Sequence, residues 1–359
     1  MNKREFLQTA CVAGLAAGEL ILTSAGKSTG SLPVNGKPRH WVWTRPNSAD
    51  RDADLERLYK SYREAGIRGI FFEDDSERHF RIARKCQLEA HRWMWIMNRG
   101  EKELLARHPE WYAVSRSGKS CATEPPYVGY YRWLCPSRPE VLTYLKEQIT
   151  QSLQKDYVDG IHFDYIRFCD VILPVNLWSN YGITQQQELP DYDFCYCAVC
   201  REKFQAEYGK DIMSIEYPDQ SLSWRKFRYD AITHVVNSLS AVAATYKKPS
   251  SAAVFPTPEV AKRIVRQDWT NWTLNAVYPM IYHGFYKEEV AWIGDAVEEG
   301  VRALHGKFPL YAGLFIPDFK THDELAAGIK TALDHGAAGI SLFGTIDPAI
   351  LKLLKEHGS

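Results

Sequence analysis

His40-Trp41-Val42-Trp43-Thr44, then Asp52 to Ala65, then Ile67-Arg68-Gly69-Ile70-Phe71-Phe72, is the unit from which the fold is read. The first five residues are mostly aromatic or β-branched and too few for a helix, so they read as a short strand. Between Asp52 and Ala65, Leu55, Leu58, Tyr59 and Tyr62 fall on one helical face, and Gly66 supplies the stop. Ile67 to Phe72 is the second strand. The same alternation places further strands at Arg92–Met97, Val158–Phe168, Ser251–Phe255, Ala276–Tyr282, Leu310–Ile316 and Gly339–Phe343. Leu142, Leu145, Ile149 and Leu153 mark the helix before strand four, and a long helix from Leu222 to Tyr246 precedes strand five. Thr321 with Glu324 forms a capping box, and Asp347-Pro348 opens the last helix. Strands alternating with helices in this way predict a (β/α)8 TIM barrel. No glycine-rich phosphate loop follows strand one, which argues against an open doubly wound sheet. No linker divides the chain, so residues 31–359 are expected to form a single catalytic domain.

The chain has 359 residues with 44 Lys plus Arg and 44 Asp plus Glu, a formal net charge of zero. That balance excludes a nucleic-acid partner, whose capture needs a basic surface. Eleven Trp, twenty Tyr and fifteen Phe make 13% of the chain. Such an excess implies either an aromatic-rich core or a surface that stacks on a ligand, and flat sugar rings are the commonest such ligand. Lys3 and Arg4, the apolar run Ala10 to Leu22 and the small residues Thr23-Ser24-Ala25 compose an export signal over residues 1–30. Its start resembles a twin-arginine signal with Lys in the first position. The mature protein is expected to begin between Gly26 and Val34 and to be periplasmic or extracellular, with no stable membrane span.

In a TIM barrel the active site forms at the C-terminal ends of the strands. The long loops there, Asn98 to Pro139 and Cys169 to Arg201, are expected to shape a cleft. Along Asp159-Gly160-Ile161-His162-Phe163-Asp164-Tyr165-Ile166-Arg167-Phe168, strand alternation puts Ile161, Phe163 and Tyr165 toward the helices and His162 and Asp164 inside the barrel. A buried carboxylate without a use is costly, so Asp164 is the leading catalytic candidate. Cutting the sugar chains that the aromatic excess suggests would take a second carboxyl group. Glu259, after strand five, is placed first as proton donor, with Glu73 or Asp74 after strand two as substitutes; Asp318 follows strand seven. Candidate sugar contacts are Trp43, Arg45, Trp95, Asn98, His162, Arg167, Tyr278, Tyr282 and His283, whereas Trp41 and Trp93 read as deeper barrel packing.

Trp133-Leu134-Cys135-Pro136, Pro139-Glu140-Val141 and Tyr157-Val158-Asp159-Gly160-Ile161-His162-Phe163-Asp164-Tyr165-Ile166-Arg167 resemble the bacterial glycosyl-hydrolase-like family 10 barrels. His108-Pro109-Glu110-Trp111 upstream, and Gln267-Asp268-Trp269 and Tyr278-Pro279-Met280-Ile281-Tyr282 downstream, keep the family's order. The resemblance implies an exported barrel that hydrolyses O-glycosyl bonds of a polysaccharide or oligosaccharide.

Seven cysteines lie beyond the signal. Cys195, Cys197 and Cys200 are spaced more tightly than disulfide frameworks usually are, and three thiolates there can wrap one tetrahedral ion. The stretch from Phe194 to Arg201 resembles the structural zinc loop of family 42 β-galactosidases. A structural zinc completed by Cys121, Cys135 or Cys169 stands beside disulfides and free thiols as alternatives; no cofactor is expected for catalysis. Two rival functions remain: a carbohydrate-binding barrel without turnover, and a metal-dependent hydrolase or deacetylase, which His162 and His283 alone support poorly.

Overall fold

Short apolar strands buried on both faces need cover inside and out, and a closed parallel sheet ringed by helices provides it. The computed structural model describes residues 38–357, so the expected signal at residues 1–30 lies outside the described residues. The strands are β1 His40–Thr44, β2 Ile67–Phe72, β3 Glu89–Trp95, β4 Gly160–Asp164, β5 Ser250–Val254, β6 Ala276–Pro279, β7 Ala312–Phe315 and β8 Ile340–Phe343. They pair in parallel in the order β6-β5-β4-β3-β2-β1-β8-β7. The remaining seam, between β6 and β7, is bridged at Val277–Leu310 and Met280–Gly313. There Tyr311 N–H donates to Val277 O at 2.9 Å and Ile281 N–H to Gly313 O at 2.8 Å. The protein is a (β/α)8 TIM barrel.

Side-chain alternation sorts the strands into two cores. Val42, Ile70, Phe72, Ile161 and Phe163 face the helices in the large outer cluster. Trp41, Trp43, Phe71, Trp93, Tyr278 and Tyr311 fill the barrel interior. The helices end as the sequence implies: Thr321 Oγ1 accepts from Glu324 N–H at 3.1 Å, and Asp347 Oδ1 accepts from Ile350 N–H at 2.9 Å. β3 begins three residues before its expected start, and β4 stops at Asp164 rather than Phe168. Tyr165 ends that strand because its φ of +47° is left-handed, a conformation no strand continues. A helix at Glu77–Lys85, absent from the sequence reading, links β2 to β3. The long loops after β3 and β4 lie over the mouth and pair with each other at Ser115–Phe194.

The β6/β7 seam has no room for a side chain at Gly313, where a Cβ would lie 2.7 Å from Pro279 O and 3.0 Å from a ring carbon of Trp43. Gly313→Ala is expected to lower the urea unfolding free energy by about 1–3 kcal/mol. An unchanged midpoint in urea would show that the seam yields without cost.

Candidate active site

At the C-terminal end of β4 the Asp164 carboxylate enters a cleft of about 140 Å³. Trp43, Trp93, Trp95, Tyr130, Tyr282 and Phe343 are among its walls. The carboxylate is fixed through both oxygens. Trp93 Nε1–H donates to Oδ2 at 3.0 Å, and Tyr165 N–H donates to Oδ1 at 2.6 Å. The left-handed turn at Tyr165 both aims that amide and swings its ring into the cleft, which strand alternation had assigned to the helices. Trp93, read as deeper packing, belongs to the interior cluster and also lines the cleft, where it holds the acid.

His162 lies one layer below and is sealed. An indole can only donate, so Trp43 Nε1–H at 3.0 Å makes His162 Nε2 the acceptor and leaves the ring proton on Nδ1, facing Ser251 Oγ at 2.9 Å. The ring stacks on Phe71 at 3.8 Å, and burial holds its pKa well below the usual histidine range. It is a neutral strut under Trp43, and the expectation that it binds sugar is withdrawn. Tyr278 is likewise interior, stacked on Tyr311 at 4.9 Å, and lies outside the cleft lining. His283 opens the short helix His283–Tyr286 and packs on Phe319 at 4.8 Å, also away from the cleft.

Arg167 does line the cleft, but its guanidinium is already engaged. Nη1 donates to Asp170 Oδ2 at 2.8 Å and to Phe168 O at 3.0 Å, and the group packs on Trp133 and Phe255 at 4.7 and 4.8 Å. It builds the wall instead of reaching for hydroxyls. Asp170, buried in the same wall, was missed, although an Arg and an Asp three residues apart just beyond β4 signal such a pair.

Glu259 does not reach the site. Glu259 is exposed in the first turn of the helix Pro258–Val265, beside the buried Pro258, and its N–H is tied to Glu299 Oε1 at 3.2 Å. Its assignment as proton donor is withdrawn. Glu73 and Asp74 fare differently. Arg45 Nε lies 3.0 Å from Glu73 Oε2 and 3.2 Å from Asp74 Oδ2, with the Glu73 side chain 10% exposed and that of Asp74 58%. Glu73 is thus the inward one of the pair. Both, with Arg45 and Asn98, line a second cavity of about 650 Å³ that shares Trp93, Trp95 and Tyr130 with the first.

The four cysteines Cys135, Cys195, Cys197 and Cys200 are buried together with their sulfurs all within 4.8 Å of one another. Cys135 Sγ is 3.6 Å from Cys197 Sγ and 3.5 Å from Cys200 Sγ. These separations are far from the ~2.05 Å of a disulfide. They approach the ~3.8 Å expected between sulfurs ~2.3 Å from one tetrahedral ion. Val114 N–H also donates to Cys195 Sγ at 3.4 Å. The donor set fits a metal ion, and Cys135 is the fourth member the sequence left open; Cys121 and Cys169 stand outside it.

The profile of the family described as Glycosyl hydrolase-like 10 matches residues 77–303. The PgaB (BpsB) glycoside hydrolase domain from Bordetella bronchiseptica superposes with a TM-score of 0.65 at 12% identity, covering 90% of this chain and 99% of that one. The β-galactosidase from the psychrophilic Marinomonas ef1 gives 0.61 at 10% identity, over 89% of this chain and 58% of that one. Gan42B, a GH42 β-galactosidase from G. stearothermophilus, gives 0.58 at 10% identity, over 90% and 56%. At these identities the likeness establishes the fold alone. A sequence search of curated proteins finds no significant match.

Asp318, after β7, adds a pH-dependent group behind the cleft. Its Oδ2 accepts Gly284 N–H at 3.0 Å, yet burial pushes its carboxyl up to about 6 from 3.8. The folded state therefore keeps a proton that the unfolded chain releases. Its stabilising share is whole below about pH 4 and is lost as pH rises through about 6. Asp318→Asn retains an oxygen for Gly284 and cannot ionise. It is expected to match wild type in thermal stability at pH 4 and to exceed it at pH 7.5, by on the order of 2 kcal/mol. Equal melting curves at both pH values would remove Asp318 from the pH response.

Proposed function

The chain belongs to the glycosyl hydrolase-like 10 family, and from that premise we propose that it is an exported glycoside hydrolase acting on a polysaccharide or oligosaccharide. The observation that carries the reading is Asp164, an oriented carboxylate at the mouth of the barrel among aromatic rings. Aromatic faces suit the apolar faces of sugar rings, and a carboxylate whose two oxygens accept N–H bonds suits the positive charge that develops at an anomeric carbon. Glu73 is the second carboxyl group. It borders the adjoining cavity across Trp93 and Trp95, and its partner Arg45 is more than half exposed and free to give way as substrate enters. As the bond from the anomeric carbon to the glycosidic oxygen breaks, a proton passes from Glu73 to that oxygen, and Asp164 faces the anomeric carbon. A water oxygen then bonds to the anomeric carbon and one of its protons returns to the Glu73 carboxylate, so that both carboxyl groups end as they began.

The cluster of Cys135, Cys195, Cys197 and Cys200 is proposed to hold a structural zinc. With four protein ligands such an ion has no open position for substrate. It would tie the loop after β3, which carries Tyr130 and Tyr131, to the loop after β4, which carries Leu173 and Leu177. Export follows the reading of residues 1–30 as a signal. Among the described residues no helix is long and apolar enough to cross a membrane.

A screen of plant, host and microbial glycans for new reducing ends tests the activity. Wild type should release them, while Asp164→Asn and Glu73→Gln should each lower kcat by at least about a hundredfold, the scale of a lost acid–base group. Binding of a glycan that survives in Asp164→Asn, with no release by wild type, would favour a binding barrel without turnover. The metal centre is tested on purified full-length protein by elemental analysis. One zinc per chain is expected in wild type and none in Cys197→Ser, with a lower melting temperature; metal-free wild type would end the assignment.

A further inference from the structure

A bond can be cut only if the sugars on both of its sides are held, and the two cavities meet at the candidate acid. Trp93 belongs to both and donates its indole N–H to Asp164. The cleft beyond Asp164 is aromatic, whereas the larger cavity on the β1–β3 side is lined by charged groups and an amide. We infer that this second cavity is a separate subsite for a neutral sugar unit, so that the substrate is a chain of at least two sugars lying across Trp93, Trp95 and Tyr130. The inference rests on the glycosidase reading above.

Charge decides the class of sugar. Arg45, Arg92 and Arg99 stand against Glu73, Asp74 and Glu101 in the lining, so the cavity is neutral with Glu73 ionised and carries a single positive charge while Glu73 holds the proton it donates. A uronate, sulfate or phosphate group would gain from one half of this lining and lose to the other. Hydroxyls, which both donate and accept, can use both halves. Asn98 supplies the second observation. It is 2% exposed, its Oδ1 accepts Arg132 N–H at 2.8 Å, and its Nδ2 is a buried donor without a partner. An amide held in this way at a cavity wall has a hydrogen bond left to give. Arg92 is anchored on the carbonyls of Phe72, Glu73 and Trp93, which sets the cavity floor without a carboxylate contact. The volume of about 650 Å³ lies within the ~300–1,000 Å³ of ordinary ligand sites.

The test uses the full chain in an Asp164→Asn background, so that binding is read without cleavage. The probes are cello-, malto-, xylo-, manno- and N-acetylchito-oligosaccharides of one to six sugars, with oligogalacturonates as the anionic series, titrated by calorimetry. For at least one neutral series, affinity should rise at least about tenfold between one sugar and three or four, the scale of one or two hydrogen bonds to charged groups. Adding Arg45→Ala, at a half-exposed rim position, should remove that rise while the affinity for one sugar stays the same. Asn98→Asp, which keeps the oxygen for Arg132 and deletes the donor, should do likewise if the protein melts as the background does. Affinity independent of length, or a rise that survives both substitutions, overturns the subsite and leaves the hydrolase reading standing. Tighter binding of oligogalacturonates than of every neutral series overturns the neutral-sugar assignment. No binding of any series, together with no reducing ends released by wild type, overturns both.

Discussion

A carboxylate can stand among aromatic rings only where donors meet its oxygens, because an unpaired charge out of water costs several kcal/mol (on the order of 5 or more). At Asp164 the donors are the Trp93 indole and the Tyr165 amide. Each depends on a different part of the fold. Trp93 is placed by β3, paired in register with β4 so that Trp93 faces His162 and Trp95 faces Asp164. Tyr165 is placed by the left-handed turn that ends β4. The strand pairing and the turn must both hold for the acid to keep its direction. A non-glycine residue at positive φ costs on the order of 1 kcal/mol, and its position immediately after the acid gives that strain a use.

The mouth above this acid is made of loops, which as a rule are mobile, and here they are tied. One tie is the buried Arg167–Asp170 pair clamped by Trp133 and Phe255. Another is the sulfur cluster, which joins Cys135 of one loop to Cys195, Cys197 and Cys200 of the other. A third is the buried Arg228–Asp193 pair, with Tyr196 Oη–H donating to Asp193 Oδ2 at 2.5 Å. These ties secure the walls rather than the chemistry. They explain why so many charged and thiol groups crowd the β3 and β4 loops, where Arg167 and Asp170 form part of the cleft wall and the cysteines lie outside it.

The barrel was legible because its signals are local. β1 and β2 match their expected bounds, since alternation and a glycine stop mark both ends. Asp164 was legible because a strand's period of two is strict. What failed were inferences that crossed the barrel. Glu259 follows the right strand, but Pro258 starts a helix there that buries Pro258 and Ala261 and turns Glu259 outward. Tyr278 was placed too near the mouth, and the reach of Trp93 into the cleft was missed, because sequence does not reveal how far each strand rises relative to its neighbours. Tyr165 was misplaced because nothing in its side chain announces a left-handed backbone. Cys135 could not be chosen over Cys121 or Cys169, because loop closure is a tertiary fact.

The aromatic excess raised two readings, core or ligand surface, and the barrel interior makes them parts of one object. Trp41 stacks on Phe71 at 4.7 Å, Phe71 on His162 at 3.8 Å, and His162 accepts from the Trp43 indole. The lower members of this series are core and the upper ones line the cleft. Phe343 meets Trp93 edge-on at 6.1 Å and stacks on Tyr282 at 6.5 Å, closing the rim. Rings in such a series support one another at separations where aromatic pairs gain about 0.5–1.5 kcal/mol beyond simple burial. The cleft floor is therefore a continuation of the packed core, and its surfaces are set in place by the rings beneath them. His162 belongs in this series for the same reason it fails as a sugar contact: a neutral imidazole is flat enough to stack and polar enough to hold Trp43 upright. The composition thus reflects a core that continues upward until it becomes the cleft lining.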